Sequence, residues 1–141
     1  MLASMKGHLL PLALLVVLVL GARGAGAEEE APVAAVLRCP ASQGTGRVRC
    51  TVELSAHGDA TIPWADAVIR ATPAFATPLR GRLAPSDAID AAPERWRWEF
   101  ALAARTRGRG DVGVTVRAIV CQRGTCRPTH EDASTTLVVG E

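Results

Sequence analysis

Three stretches of the chain alternate apolar and polar residues with a period of two, and this pattern constrains the fold more than any other feature. They are residues 47–54, 96–102 and 112–121. Because successive side chains of a strand point to opposite faces of a sheet, each stretch predicts a strand with one buried and one solvated face. Weaker strand candidates are residues 33–37, 67–72, 78–83 and 135–139.

Glycine-containing turns separate these strand candidates, and no long amphipathic helix lies between them. The turns are predicted at residues 43–46, 57–59, 107–111 and 122–125. Residues 85–92 predict a single helical turn, which Pro93 ends. About seven short strands without helical crossovers predict an all-β fold, an antiparallel immunoglobulin-like β-sandwich.

The first 27 residues have the features of a secretory signal peptide. Lys6 supplies a positive charge, residues 9–20 form an apolar run of twelve, and Ala25-Gly26-Ala27 has the small-residue pattern of a cleavage site. A run of that length is too short to cross about 30 Å of hydrocarbon. We therefore predict one mature domain, residues 28–141, that is periplasmic or secreted and has no membrane span after cleavage.

Charge and motif content exclude several classes of function. Without Lys6 and Arg23 of the signal segment, the mature chain has 14 basic residues, all arginine, against 14 acidic ones. A role in nucleic-acid binding therefore lacks an electrostatic basis. The serines lack a hydrolase motif, and the chain has no glycine-rich phosphate loop. We expect neither a hydrolase nor a kinase, and no cofactor.

Four cysteines remain in the mature chain, and an exported protein with an even number of cysteines is expected to form disulfides. The simplest pairing joins Cys39 to Cys50 and Cys121 to Cys126, each pair across a short glycine-containing turn. The main alternative is an antibody-like bridge between Cys50 and Cys121, with Trp64 as the packing tryptophan of the sandwich. The sequence leaves this choice open.

Cys121 and Cys126 flank the segment Gln-Arg-Gly-Thr, which predicts a tight hairpin turn. A disulfide there would stand at the tip of a sheet, where thiol exchange takes place readily, and its short loop would contribute little to stability. Arg123 and Arg127 are candidate modulators because a nearby guanidinium favours a thiolate. A metal site of Cys121, Cys126 and His130 lacks the Cys-x-x-Cys spacing of structural zinc, and we predict no metal ligands.

Residues 113–128 resemble a signature of the N-terminal periplasmic domain of the DsbD-type thiol:disulfide interchange proteins. In that family an apolar strand enters a first cysteine, a short polar turn leads to a second, and a proline follows. Cys121, Cys126 and Pro128 occupy these positions here. The similarity covers residues 96–139, including the aromatic strand that begins at Trp96. The resemblance implies an immunoglobulin-like fold and a redox-active cysteine pair that exchanges electrons with thioredoxin-like or other periplasmic redox partners.

Two functions are therefore predicted. The first is a periplasmic thiol:disulfide exchange domain with Cys121 and Cys126 as its catalytic pair and Cys39–Cys50 as a structural disulfide. The alternative is a secreted β-sandwich whose two disulfides are both structural. That protein would have no redox activity and would present loops such as residues 72–78 or 105–111 to a protein partner.

Overall fold

The structure is a computed structural model that describes residues 31–140. The predicted signal peptide, residues 1–27, lies outside the described residues. No helix within residues 31–140 has the length and apolar character needed to cross a membrane. The described chain forms nine strands: β1 (Val33–Arg38), β2 (Gly46–Ala56), β3 (Thr61–Ala71), β4 (Ala76–Pro78), β5 (Arg82–Leu83), β6 (Asp90–Ala92), β7 (Arg95–Ala104), β8 (Gly108–Gln122) and β9 (Thr125–Val139).

The strands form two antiparallel sheets that pack face to face. The five-stranded sheet has the order β1-β2-β7-β4, and β6 pairs with the other end of β7. The four-stranded sheet has the order β5-β3-β8-β9. The predicted all-β, immunoglobulin-like sandwich is confirmed. The strand count is nine because the candidate at 78–83 divides between β4 in one sheet and β5 in the other, and because β6 is an additional strand.

The predicted helical turn at 85–92 is reduced to one turn of 3-10 helix, Pro85–Asp87. The Asp87 carboxylate accepts a hydrogen bond of 2.8 Å from the backbone amide of Ala84 and so fixes the start of this turn. Residues Asp90–Ala92 pair with β7 instead of continuing the helix. A single helical turn makes too few hydrogen bonds to compete with an available strand edge.

The apolar faces of β2, β7 and β8 form most of the core, as their alternation predicts. Trp98 is fully buried, and its indole nitrogen donates a hydrogen bond of 3.0 Å to the carbonyl of Ala84. Trp96 stacks on Trp98 at a ring-centroid distance of 5.8 Å and donates to the carbonyl of Ile62. The one polar atom of each ring is thereby satisfied, so both tryptophans can contribute their full apolar area to the core.

The turn predicted at residues 107–111 is wrong, because β8 already begins at Gly108. A Cβ atom at Gly108 would lie 2.7 Å from Cε1 of Phe75, and one at Gly110 would lie 2.6 Å from Cβ of Pro73. Both glycines are thus needed for close packing of the 72–78 segment against β8, not for turning the chain.

Candidate functional site: the disulfide at the β8–β9 hairpin

The four cysteines form two disulfides, Cys39–Cys50 and Cys121–Cys126, so the simplest pairing is confirmed. The antibody-like alternative is wrong. Cys50 points from β2 into the core, whereas Cys121 lies on the outer face of β8, opposite to its buried neighbour Val120. Trp64 is not a packing tryptophan either, because 37% of it is exposed.

The Cys121–Cys126 disulfide closes the hairpin between β8 and β9. The turn consists of Arg123 and Gly124, with φ values of 52° and 76°. Two left-handed residues in succession are typical of a type I′ turn, whose twist matches that of the flanking strands. Cys121 and Cys126 form the second residue pair from the turn, at a Cα–Cα distance of 3.9 Å. The predicted tight hairpin with a cross-strand bridge is therefore present.

The two disulfides differ in how far they are accessible from solvent. Cys126 is exposed and Cys121 is half-buried. In the other bridge, Cys50 is fully buried, and Cys39 packs against the core and is half-buried like Cys121. An exposed cysteine is therefore present only in the Cys121–Cys126 bridge, and a thiolate from solvent has its most open approach at Cys126.

The charged groups around the hairpin turn include one of the two predicted modulators. The Nε atom of Arg123 lies 3.9 Å from Oδ2 of Asp59. A hydrogen bond of 2.9 Å from Gln122 to Asp59 is the main reason that the pKa of Asp59 lies below its usual value. Arg127, in contrast, pairs with inward-facing Val120 and so lies on the opposite face of β9 from Cys126.

An apolar row lies next to the disulfide on the outer face of the four-stranded sheet. The register places Ile119 between Trp64 on β3 and Pro128 on β9. These three side chains line a shallow groove together with Arg117 and His130, which form the adjacent row. This grouping is not among the predictions made from the sequence, although the cysteine pair fixes the hairpin register and so places Ile119 opposite Pro128.

The cysteines that the metal interpretation would require are bonded to each other. His130 pairs with Arg117, four residues beyond Cys126. Among the residues that the structure describes, no group of three or more histidine, cysteine, aspartate or glutamate side chains is arranged to hold a metal ion.

A buried carboxylate lies beneath the same outer face. Asp66 has no solvent exposure, and its Oδ1 accepts a hydrogen bond of 2.8 Å from Nε of Arg117. Its Oδ2 accepts one of 2.8 Å from Nε of Arg82 and a further, short one from Nη2 of Arg117. The hydrogen bonds from Arg117 chiefly, and then that from Arg82, hold the pKa of Asp66 below its usual value. The carboxylate thus joins β5 and β8 to β3 through charge-assisted hydrogen bonds.

Replacing Asp66 with asparagine is expected to lower the free energy of unfolding by about 1–3 kcal/mol at pH 7, because charge-assisted hydrogen bonds are lost. The folded-state pKa of Asp66 is depressed, so its contribution is complete above the ordinary value of 3.8. The contribution is lost as the pH falls through the folded-state pKa, where the wild-type side chain also becomes neutral. Urea unfolding at pH 7 and pH 3 measures this, and an equal difference at both pH values would contradict it.

Comparisons with known proteins give only distant likenesses in structure. No family model matches the chain, and neither does any curated protein. One similar solved structure is BslA, a bacterial hydrophobin, at 9% identity and a TM-score of 0.41, covering 77% of this chain and 95% of that one. A PapD-like domain of human CEP192 has 15% identity and a TM-score of 0.39, covering 77% and 83%.

A third structure, an exo-β-N-acetylglucosaminidase from Vibrio harveyi, has 14% identity and a TM-score of 0.44 and matches over 18% of its own length. Likenesses this distant carry no information about activity or partners. The class of protein follows from the structure itself: an immunoglobulin-like sandwich with two disulfides, of which Cys121–Cys126 is the more exposed. Two such bridges are typical of extracellular or secreted proteins.

Proposed function

We propose that this protein is a periplasmic thiol:disulfide exchange domain, in which Cys121 and Cys126 relay electrons to or from thioredoxin-like partners. The observation that carries the proposal is the contrast between the bridges: each has one half-buried cysteine, but the partner is exposed Cys126 in one and buried Cys50 in the other. The resemblance of residues 96–139 to the DsbD N-terminal domain supports the same pair. The Cys121–Cys126 bridge also closes the shorter loop, so it is expected to contribute less to the free energy of unfolding than Cys39–Cys50 does.

The exposure of Cys126 favours one order of sulfur chemistry. A partner thiolate attacks the sulfur of Cys126, a mixed disulfide forms, and the Cys121 sulfur leaves as a thiolate that takes up a proton. The partner's second thiol, once deprotonated, attacks the partner sulfur of the mixed disulfide and releases Cys126 as a thiolate. The partner dithiol is oxidised to a disulfide, and this domain gains two electrons and two protons. The reverse sequence oxidises the domain.

A second candidate function is a disulfide-stapled binding module without redox activity. It is favoured by a groove of about 360 Å³ on the outer face of the five-stranded sheet, where Leu79 and Ile89 are each 50% exposed. Loops 72–78 and 105–111, predicted above as binding loops, are less suitable, since Phe75 and Pro73 pack against Gly108 and Gly110.

A redox titration in glutathione buffers separates the two functions. We expect Cys121 and Cys126 to open together at a potential above about −300 mV, the usual upper limit for structural disulfides, while Cys39–Cys50 stays closed. Trapping free thiols with an alkylating agent and mapping them by mass spectrometry identifies the bridge that opens. If neither bridge opens before circular dichroism reports loss of the fold, the exchange function is wrong and the binding module is favoured.

A further inference from the structure

We propose that the outer face of the four-stranded sheet beside Cys121–Cys126 is the docking surface for a protein dithiol, with Trp64 as its principal contact. The docking face is defined by Trp64, Ile119 and Pro128. The inference rests on the proposed function. It adds a surface that a protein dithiol would contact and that a small thiol would not.

The docking face lies directly beside the Cys121–Cys126 disulfide. Ile119 and Cys121 are two residues apart on β8 and point to the same side, which places them about 7 Å apart along the strand. Pro128 has the same relation to Cys126 on β9. Trp64 lies beside Ile119 on β3, so the apolar row directly adjoins the disulfide.

The direction from which a thiolate attacks the disulfide brings a protein partner over the docking face. Both cysteine side chains lie on the outer side of the hairpin, and Cys126 is the more exposed. A protein thiolate that reaches this sulfur must bring the surface around its own cysteine over the same side of the sheet. That surface then lies against the docking face, whereas a small dithiol reaches the sulfur without covering it.

The docking face has the composition of a protein-interface centre. A large aromatic ring with 37% of its surface exposed is a typical central contact of protein interfaces, where tryptophan is enriched among the residues that dominate binding. On the solvent side of the sheet it has no role in the core, which contains Trp96 and Trp98 instead. Small redox interfaces bury limited area, so a few such contacts determine their strength.

Basic side chains lie close to the docking face. The adjacent row presents Arg117 and His130, and Arg123 stands at the turn. The Asp66 carboxylate is shared by Arg117 and Arg82, so this group keeps one net positive charge, and Asp59 faces Arg123. Asp132 accepts a hydrogen bond from Thr115 in the next row, farther from the disulfide. The surface next to the disulfide therefore suits a partner that brings a thiolate and an acidic rim around it.

The experiment compares two reductants on the full protein and its variants. The protein reductant is thioredoxin, held reduced by thioredoxin reductase and NADPH, and the small reductant is dithiothreitol. For Trp64→Ala we expect the second-order rate constant with thioredoxin to fall about tenfold, as for loss of a central interface residue. The rate constant with dithiothreitol should remain within about twofold of the wild-type value.

Val36→Ala is the matched control, because Val36 is also an exposed apolar side chain but lies on β1 of the other sheet. It should leave both rate constants unchanged. Pro128→Ser is a second variant of the docking face on the exposed edge strand, in case Trp64→Ala fails to fold. It should slow thioredoxin about threefold and leave dithiothreitol unaffected.

Three results would overturn the docking face. They are equal slowing of both reductants in the variants, no slowing with thioredoxin, and slowing of thioredoxin by Val36→Ala to the same extent. In each of them the disulfide of the wild-type protein is still reduced, so the exchange function stands. A wild-type disulfide that neither reductant opens in the folded protein refutes the exchange function itself.

Discussion

Replacing Cys121 and Cys126 together with alanine is expected to abolish thiol:disulfide exchange completely and to leave the sandwich folded. The bridge closes a loop with a sequence separation of 5 residues, for which the loss of unfolded-state constraint corresponds to about 2 kcal/mol. The type I′ turn and the long β8–β9 ladder remain without it. Consumption of NADPH in the coupled thioredoxin assay measures the exchange, and urea unfolding measures the stability.

The matched variant replaces Cys39 and Cys50 with alanine, and its expected profile is the opposite. It should retain exchange but lose at least about 3 kcal/mol, because its loop is longer, with a separation of 11 residues, and because Cys50 is buried in the core. If exchange survives in the first variant, or disappears in the second while the protein stays folded, Cys39–Cys50 and not Cys121–Cys126 is the redox-active bridge.

The alternation of apolar and polar residues predicts those strands that have one buried and one solvated face along their whole length. β2, β7 and β8 meet this condition, and their predicted bounds lie within the observed ones. Only 135–139 was predicted of β9, because the rest of this strand is polar on both sides. Near the hairpin turn β9 is an edge strand that buries neither face. Its pairing with β8 therefore requires no pattern of apolar residues in this part of the sequence.

β3 was predicted only over its second half for a different reason. Its pairing with β8 shifts register between Thr61 and Trp64 and again between Ile69 and Ala71. Each irregularity changes which face the following side chains occupy, so the alternation along the strand loses its phase. The buried Asp66 could not be predicted either, because its two arginine partners are distant in sequence and only the sheet brings them together.

The sequence likewise predicts some features of the candidate site and not others. The Cys121–Cys126 bridge is local in sequence: its spacing predicts the tight turn and makes this bridge part of the simplest of the pairings that the sequence leaves open. The unequal exposure of the two bridges and the position of Trp64 beside Ile119 depend on how distant strands pair. Features that arise from one hairpin were therefore accessible from the sequence, and features that arise from three strands were not.

The tryptophans give the sharpest test of this packing. Trp98→Ala is expected to lower the free energy of unfolding by about 3–5 kcal/mol, since it leaves a large cavity between the sheets. It also leaves the carbonyl of Ala84 without its indole donor. Urea unfolding followed by circular dichroism measures the loss. At 37 °C we expect the folded fraction of the variant to lie below that of the wild type, because the loss is a large part of the free energy of unfolding of a small domain.

Trp64→Ala is the control for the same substitution on the solvent side, and it should cost about 1 kcal/mol or less because the ring already contacts water. An antibody-like packing with Trp64 in the core requires the opposite order of the two effects. If Trp64→Ala proves the more destabilising, Trp64 points into the core and not to solvent, and the docking face cannot lie on the outer face of the four-stranded sheet. If Trp98→Ala is the more destabilising, Trp64 is free for contact with a partner.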